Sequence, residues 1–268
     1  MSDATDLPAP QGSPMDGPAI AARGLGKRFG DLVAVKGIDL DVPRGSFFGL
    51  VGPNGAGKTT TLSMVTGLLR PDAGQAFVLG RDVWADPVAA KRLLGVLPDG
   101  LKVFDRLTGL QLITYAGLLR GLPRELASER AAELVAALGL ADAQGKLVVD
   151  YSAGMTKKVT LASALVHGPR VLVLDEPFEA VDPISAATIR RILSGYVESG
   201  GTVVLSSHVM DLVERTCTHV AVISDGVVLE TGELDAVRGR QSLEERFVDL
   251  VGGSTEVVGL SWLRTSSD

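Results

Sequence analysis

One eight-residue segment, Gly52-Pro53-Asn54-Gly55-Ala56-Gly57-Lys58-Thr59, limits the folds open to this chain more than any other stretch. It follows a short apolar run, Phe47 to Val51, that reads as a buried strand. It leads into Lys58 to Leu69, which has helical character and is closed by Pro71. A strand that leaves a glycine-rich turn directly as a helix belongs to an α/β layer architecture with a parallel sheet. The segment also fits the pattern G-x-x-x-x-G-K-[ST] at every fixed position. Glycines let such a loop wrap closely enough for backbone N–H groups to point at phosphate oxygens, and the N-terminus of the following helix adds partial positive charge. Gly52 to Thr60 are therefore candidate phosphate-binding residues, with Lys58 and Thr60 among them. Lys58 is expected to reach the β- and γ-phosphates of a nucleotide, and the Thr59 hydroxyl to ligate Mg²⁺.

A second apolar strand, Val171 to Leu174, ends in Asp175-Glu176-Pro177, which places two carboxylates at the carboxyl edge of the sheet, where α/β proteins bind ligands. Two adjacent acids there need a cation. Asp175 is expected in the Mg²⁺ shell and Glu176 as the group that polarises the attacking water. Beyond it, a helix from about Pro183 to Glu198 and a strand from Thr202 to Ser206 continue the alternation of a parallel sheet flanked by helices.

The remaining segments have different textures. Ala19 to Val51 is punctuated by glycines and partly alternating at Ile38-Asp39-Leu40-Asp41-Val42, which points to antiparallel strands. Residues 87–166 read as a helical insert, with Thr108 capping a helix through Leu119 and apolar residues at helical spacing from Arg124 to Leu138. Residues 1–18 carry three aspartates, four prolines and no basic group, unlike a secretory leader, and are expected to form a disordered tail; residues 251–268 are expected to be a flexible C-terminal tail. The domain between them is expected to span residues 19–250.

Composition removes several classes. A net charge of −6 offers no broad cationic surface, so no nucleic-acid partner is expected. Apolar runs stay well below the roughly 18–20 residues needed to cross a bilayer, so any membrane role must come through a partner. The single Cys217 cannot form an internal disulfide, and three scattered histidines give no zinc pattern, which fits a reducing cytoplasm.

With the phosphate loop and the acidic strand in this order, the sequence resembles the ABC (ATP-binding cassette) ATPase family through nearly all of Ala19 to Leu250. Between them, Tyr151-Ser152-Ala153-Gly154-Met155 is similar to the LSGGQ signature, departing from it at Leu to Tyr, Gly to Ala and Gln to Met. Tyr and Met there are similar to ABC-2-type exporters, as are Ser206 to Met210 and Ser242 to Phe247. The resemblance implies a P-loop NTPase sheet with a small antiparallel β subdomain and an inserted helical subdomain, binding ATP with Mg²⁺. It also implies a head-to-tail pair of subunits, homo- or heterodimeric, in which Ser152 and the Gly154 N–H grip the γ-phosphate held by the partner's loop. Ser152 can equally be a plain helix cap.

By the same resemblance Phe29 stacks on adenine, although a core role is open to it. Asp182 lies at the dimer seam, or merely caps a helix before Pro183. His208 contacts the γ-phosphate beside Glu176 and is the second catalytic candidate. Asp99 stands where the family usually has Gln: it either offers an oxygen to Mg²⁺ or only closes the turn Asp99-Gly100. The implied partner is a separately encoded integral-membrane permease, with this chain peripheral on the cytoplasmic side. A repair- or ribosome-associated ABC ATPase is the competing class, disfavoured by a single cassette with no heptad run. A P-loop kinase has no place for the signature segment.

Overall fold

The computed structural model describes residues 17–252. The rest of both expected tails, residues 1–16 and 253–268, lies outside the described residues. The chain enters through β1 (Ile20–Phe29) and β2 (Leu32–Val42), an antiparallel pair. In β2 the alternation works as expected: Ile38, Leu40 and Val42 are buried while Asp39 and Asp41 face out. Next come β3 (Phe47–Val51), buried throughout, and α1 (Lys58–Val65). The helix ends at Val65 rather than reaching Leu69, because the Thr66 hydroxyl turns back to the Leu62 carbonyl and Gly67 adopts φ 71°. Two further strands, β4 (Ala73–Val78) and β5 (Arg81–Asp82), complete a four-stranded antiparallel sheet in the order β2-β1-β4-β5.

The middle of the chain carries α2 (Pro87–Leu93), β6 (Leu94–Leu97), α3 (Gly109–Leu119), α4 (Arg124–Ala137) and α5 (Ala153–Leu165). Thr108 and Gln111 form a capping box at the start of α3, and Ser152 caps α5 by accepting the Met155 N–H at 3.3 Å. Although β6 falls within residues 87–166, it pairs with β7 of the core sheet.

The chain then alternates through β7 (Val171–Leu174), α6 (Pro183–Glu198), β8 (Thr202–Ser207), α7 (Met210–Glu214), β9 (His219–Ser224) and β10 (Val227–Glu233), and closes with α8 (Leu234–Arg238) and α9 (Leu243–Val251). Six strands form one sheet in the order β10-β9-β3-β8-β7-β6, parallel apart from the β10–β9 pair. Its central strands β3, β7 and β8 are mostly apolar and buried along their whole length because both faces are covered. Phe47 and Val51 of β3, Leu172 and Leu174 of β7, and Val203 and Leu205 of β8 point into a core shared with Ile113, Leu161 and Ile189 of the helices. Phe48, Leu50, Val171, Val173 and Val204 point the other way, toward Ile38, Leu62 and Val78. Each such side chain contributes about 1.5–3 kcal/mol of burial, so the two cores clamp β3, β7 and β8 and fix the carboxyl ends on which the site is built.

Candidate functional site

The loop after β3 is shaped by two backbone approaches that exclude a side chain. A Cβ on Gly52 would sit 2.1 Å from the Ile223 carbonyl oxygen; one on Gly57 would sit 2.7 Å from that of Ala34, and Gly57 holds φ 102° at the cap of α1. Lys58, at the first turn of α1, is almost fully buried and donates to the carbonyls of Gly52 at 2.8 Å and Pro53 at 3.2 Å. Its amine therefore folds over the loop it follows. Burial pushes the Lys58 pKa down, and the charges of Glu176 and Asp175 act against that shift.

Those two acids leave the end of β7 in opposite settings. Asp175 is buried, and the Ser206 hydroxyl at the end of β8 donates to its carboxylate. Glu176 adopts φ 46°, a left-handed conformation that costs a non-glycine residue about 1–3 kcal/mol. Its N–H donates to the same Ser206 oxygen at 2.9 Å. That turn aims the Glu176 carboxylate into the cleft, where Oε1 lies 3.8 Å from Lys58 Nζ and 3.0 Å from His208 Nδ1. One hydroxyl thus ties both acids to the next strand.

The cleft has a volume of about 580 Å³ and is lined by Phe29, Leu32, Ala34, Asn54, Gly55, Gly57, Lys58, Thr59, Thr60, Asp99, Glu176, Glu179 and His208. Its walls include both catalytic candidates, most of the loop, and Asp99 on the segment after β6. Gly52 and Ala56 are buried behind this surface, and Pro53 contributes its carbonyl to Lys58. Phe29 is exposed at the end of β1, 47% of its surface open, so it is not a core residue. Asp99 is half exposed and faces Lys157 Nζ of α5 at 4.0 Å. The Thr59 hydroxyl and the carboxylates of Asp99 and Asp175 are hard oxygen donors of the kind that suit Mg²⁺.

Ser152, Gly154 and Asp182 do not line this cleft. Ser152 is exposed at the N-terminus of α5. Gly154 packs toward the Ala180 carbonyl, which a Cβ would meet at 3.4 Å. Asp182 caps α6 by accepting the N–H groups of Ile184 at 3.1 Å and Ser185 at 3.0 Å. Both cap readings therefore hold within the single chain. A smaller hollow of about 300 Å³, lined by Tyr151, Ala153, Thr156 and Lys157, adjoins this end, and Glu179 borders both hollows.

Sequence reading did not assign Ser206 or Glu179. For Ser206 a partial signal existed: a hydroxyl in a strand of buried residues must find a partner, although its identity follows only from β7 lying beside β8. Glu179 carries no such mark, because its place between the hollows follows from the tight turn after Glu176.

Comparisons with known proteins agree with this architecture. A family model described as ABC transporter matches residues 35–179. The chain is 39% identical over 234 residues to the daunorubicin/doxorubicin resistance ATP-binding protein DrrA of Streptomyces peucetius, an alignment covering 86% of this chain and 71% of the relative. A solved ATP-binding subunit of an ABC transporter superposes with a TM-score of 0.81 at 25% identity, covering 87% of this chain and 99% of that one. The dimeric post-hydrolysis structure of the ATP-binding cassette MJ0796 with ADP and Pi superposes with a TM-score of 0.74 at 22% identity, covering 80% and 98%.

Proposed function

The chain belongs to the ABC transporter ATP-binding family, and from that premise we propose that it binds and hydrolyses ATP as the motor subunit of a membrane exporter, working as a head-to-tail pair. The observation that carries the hydrolytic reading is the convergence of Lys58, Glu176 and His208 on one cleft, with Glu176 within 3.8 Å of the lysine and 3.0 Å of the histidine. The ammonium of Lys58 binds the terminal phosphates, joined by N–H groups of the loop. Glu176 accepts a proton as the attacking water adds to the γ-phosphorus and the bond to the bridging oxygen breaks, with ADP leaving. His208 holds the Glu176 carboxylate toward that water. Thr59, Asp175 and Asp99 would hold Mg²⁺, which would supply neutralisation of charge on the terminal phosphates. Phe29, exposed at the far rim, is the platform for the adenine ring.

Ser152 and Gly154, set outside the cleft, are free to meet the phosphates of a second subunit, with Asp182 at the seam. The cassette with ADP and Pi is itself dimeric, which supports this pairing. The exporter reading is supported by the drug-resistance relative together with Tyr151 and Met155 in the signature segment. Among the described residues no helix is long and apolar enough to cross a membrane. The exporter reading, by itself, carries the proposal of a separately encoded permease that holds the chain at the cytoplasmic face.

The deciding experiment is Glu176→Gln, which keeps shape and a hydrogen-bonding oxygen while removing the charge. Phosphate release should fall by about a hundredfold or more, and ATP with Mg²⁺, but not ADP, should drive the variant into a long-lived dimer in gel filtration. Near-normal phosphate release would exclude Glu176 as the base.

A further inference from the structure

Phe29, which lines the cleft, is held by a small ionic clasp whose residues do not. Lys27 lies two residues earlier on β1, hence on the same face of the strand. Its Nζ stands 5.7 Å from the centroid of the Phe29 ring, within the range of a cation–π contact. The ammonium does not hang free: it donates to the Arg70 carbonyl at 2.9 Å and to Asp72 Oδ1 at 2.8 Å, and the Lys27 side chain is only 14% exposed. The other oxygen of Asp72 accepts the N–H of Arg28 at 2.8 Å, and the Asp72 N–H donates to the Gly26 carbonyl at 2.9 Å.

The clasp closes where the strand pairing is imperfect. The β1–β2 register shifts between Lys27 and Arg28, immediately before Phe29, and the β1–β4 pairing ends at Gly26 with Ala73. Asp72 thus takes over a backbone N–H at the irregularity and ties the last turn of β1 to the start of β4. A bare aromatic ring at the end of a hairpin would have to be ordered each time a base stacked on it, which subtracts from affinity. A ring already fixed by a buried-stem ammonium avoids that cost.

We propose that Lys27 and Asp72 are positioning residues for Phe29, holding its ring as a preset platform for the purine base of ATP. This rests on the reading of Phe29 as the base platform. Neither residue is needed for phosphate chemistry, so their effect belongs to ATP affinity and passes through the ring.

The test is a double-mutant cycle on the full chain, with MgATP affinity read by titration calorimetry. Phe29→Ala should weaken binding. Lys27→Met should weaken it about two- to fivefold, Asp72→Ala should act in the same direction, and Lys27→Arg, which keeps both a cation and an Asp72 partner, should restore most of the affinity. In the Phe29→Ala background, Lys27→Met should have no further effect, which a general loosening of the fold would not reproduce. If Phe29→Ala binds ATP like the unaltered chain, the platform reading falls and this inference with it. If Phe29→Ala weakens binding but Lys27→Met acts equally in both backgrounds, or not at all, the platform stands and the positioning role is overturned.

Discussion

The carboxyl edge of the six-stranded sheet and the N-terminal end of α5 both carry polar groups suited to phosphate, but they differ in how completely the chain itself has finished them. At the sheet edge the central groups are tied: Lys58 to two loop carbonyls, the Asp175 carboxylate and the Glu176 N–H to Ser206, and the Glu176 carboxylate to His208. At the α5 end the exposed Ser152 oxygen caps its own helix, and among the described residues neither Lys58, Glu176 nor His208 lines the hollow that adjoins it. Preorganised groups lose little on binding a ligand, whereas an open helix terminus gains from meeting an anion. The contrast teaches that one subunit holds a preorganised cleft and an open helix terminus, and the proposed head-to-tail pair would use the first as its binding half and the second as its clamping half.

The harshest way to break this comparison is to alter only the unfinished half. Ser152→Arg should leave ATP binding by a single subunit within about twofold of normal, while turnover falls by about a hundredfold or more, since the new side chain intrudes where the partner's phosphate arrives. Nucleotide titration beside phosphate release separates the two effects. Because the substitution also removes the cap of α5, at a cost of about 1 kcal/mol, Ser152→Asp is the companion: it preserves capping but sets negative charge against the phosphates, and should be equally inactive. Normal turnover in both variants would mean that α5 acts only as structure.

A smaller effect, confined to the finished half, is expected from Lys58→Ala. Loss of one charge-assisted contact should weaken MgATP by about ten- to a hundredfold, measurable by equilibrium dialysis, with thermal unfolding in the absence of nucleotide little changed. Affinity that survives the substitution would show that the loop amides alone hold the phosphates and that the tied state of Lys58 is incidental.

Much of the finished half was legible in the sequence because its chemistry is local. The loop from Gly52 to Thr60 is contiguous, Asp175 and Glu176 are adjacent, and the strands beneath them are unbroken apolar runs; the caps at Thr108, Ser152 and Asp182 followed from single residues in front of helices. What escaped depends on contacts between distant segments. The strand β4 begins in Ala73-Gly74-Gln75, which carries no alternation, and it forms because β1 offers it an open edge. The bond from Ser206 to Asp175 needs β7 and β8 to be neighbours, a fact of sheet order rather than of pattern. Asp99 remained ambiguous for a similar reason: its sequence context is a turn, and only the packing of α5 reveals Lys157 opposite it.

The smallest expected effect lies away from both regions, where the C-terminal end of α5 meets the start of β6. His167 follows α5, and its Nε2 bonds the Leu94 carbonyl of β6 at 3.0 Å, while Arg120 at the end of α3 and Arg130 of α4 donate to the carbonyls of Lys91 and Val166 close by. Burial first, and then the Arg120 and Arg130 charges, push the His167 pKa down to about 4, below the ordinary value of 6.5. The unfolded chain therefore binds the proton more readily, so the contribution of neutral His167 is fully present above about pH 6.5 and is lost as pH falls toward 4. For a ring only partly shielded from solvent this amounts to about 1–2 kcal/mol. His167→Gln keeps a donor for the Leu94 carbonyl but cannot titrate. Urea unfolding at intervals between pH 7 and pH 4.5 should show the variant losing less stability than the unaltered chain, with the two curves parallel above pH 7. Parallel curves throughout the acid range would place the pH sensitivity elsewhere and leave the His167 bond to Leu94 as a tie that does not titrate between those pH values.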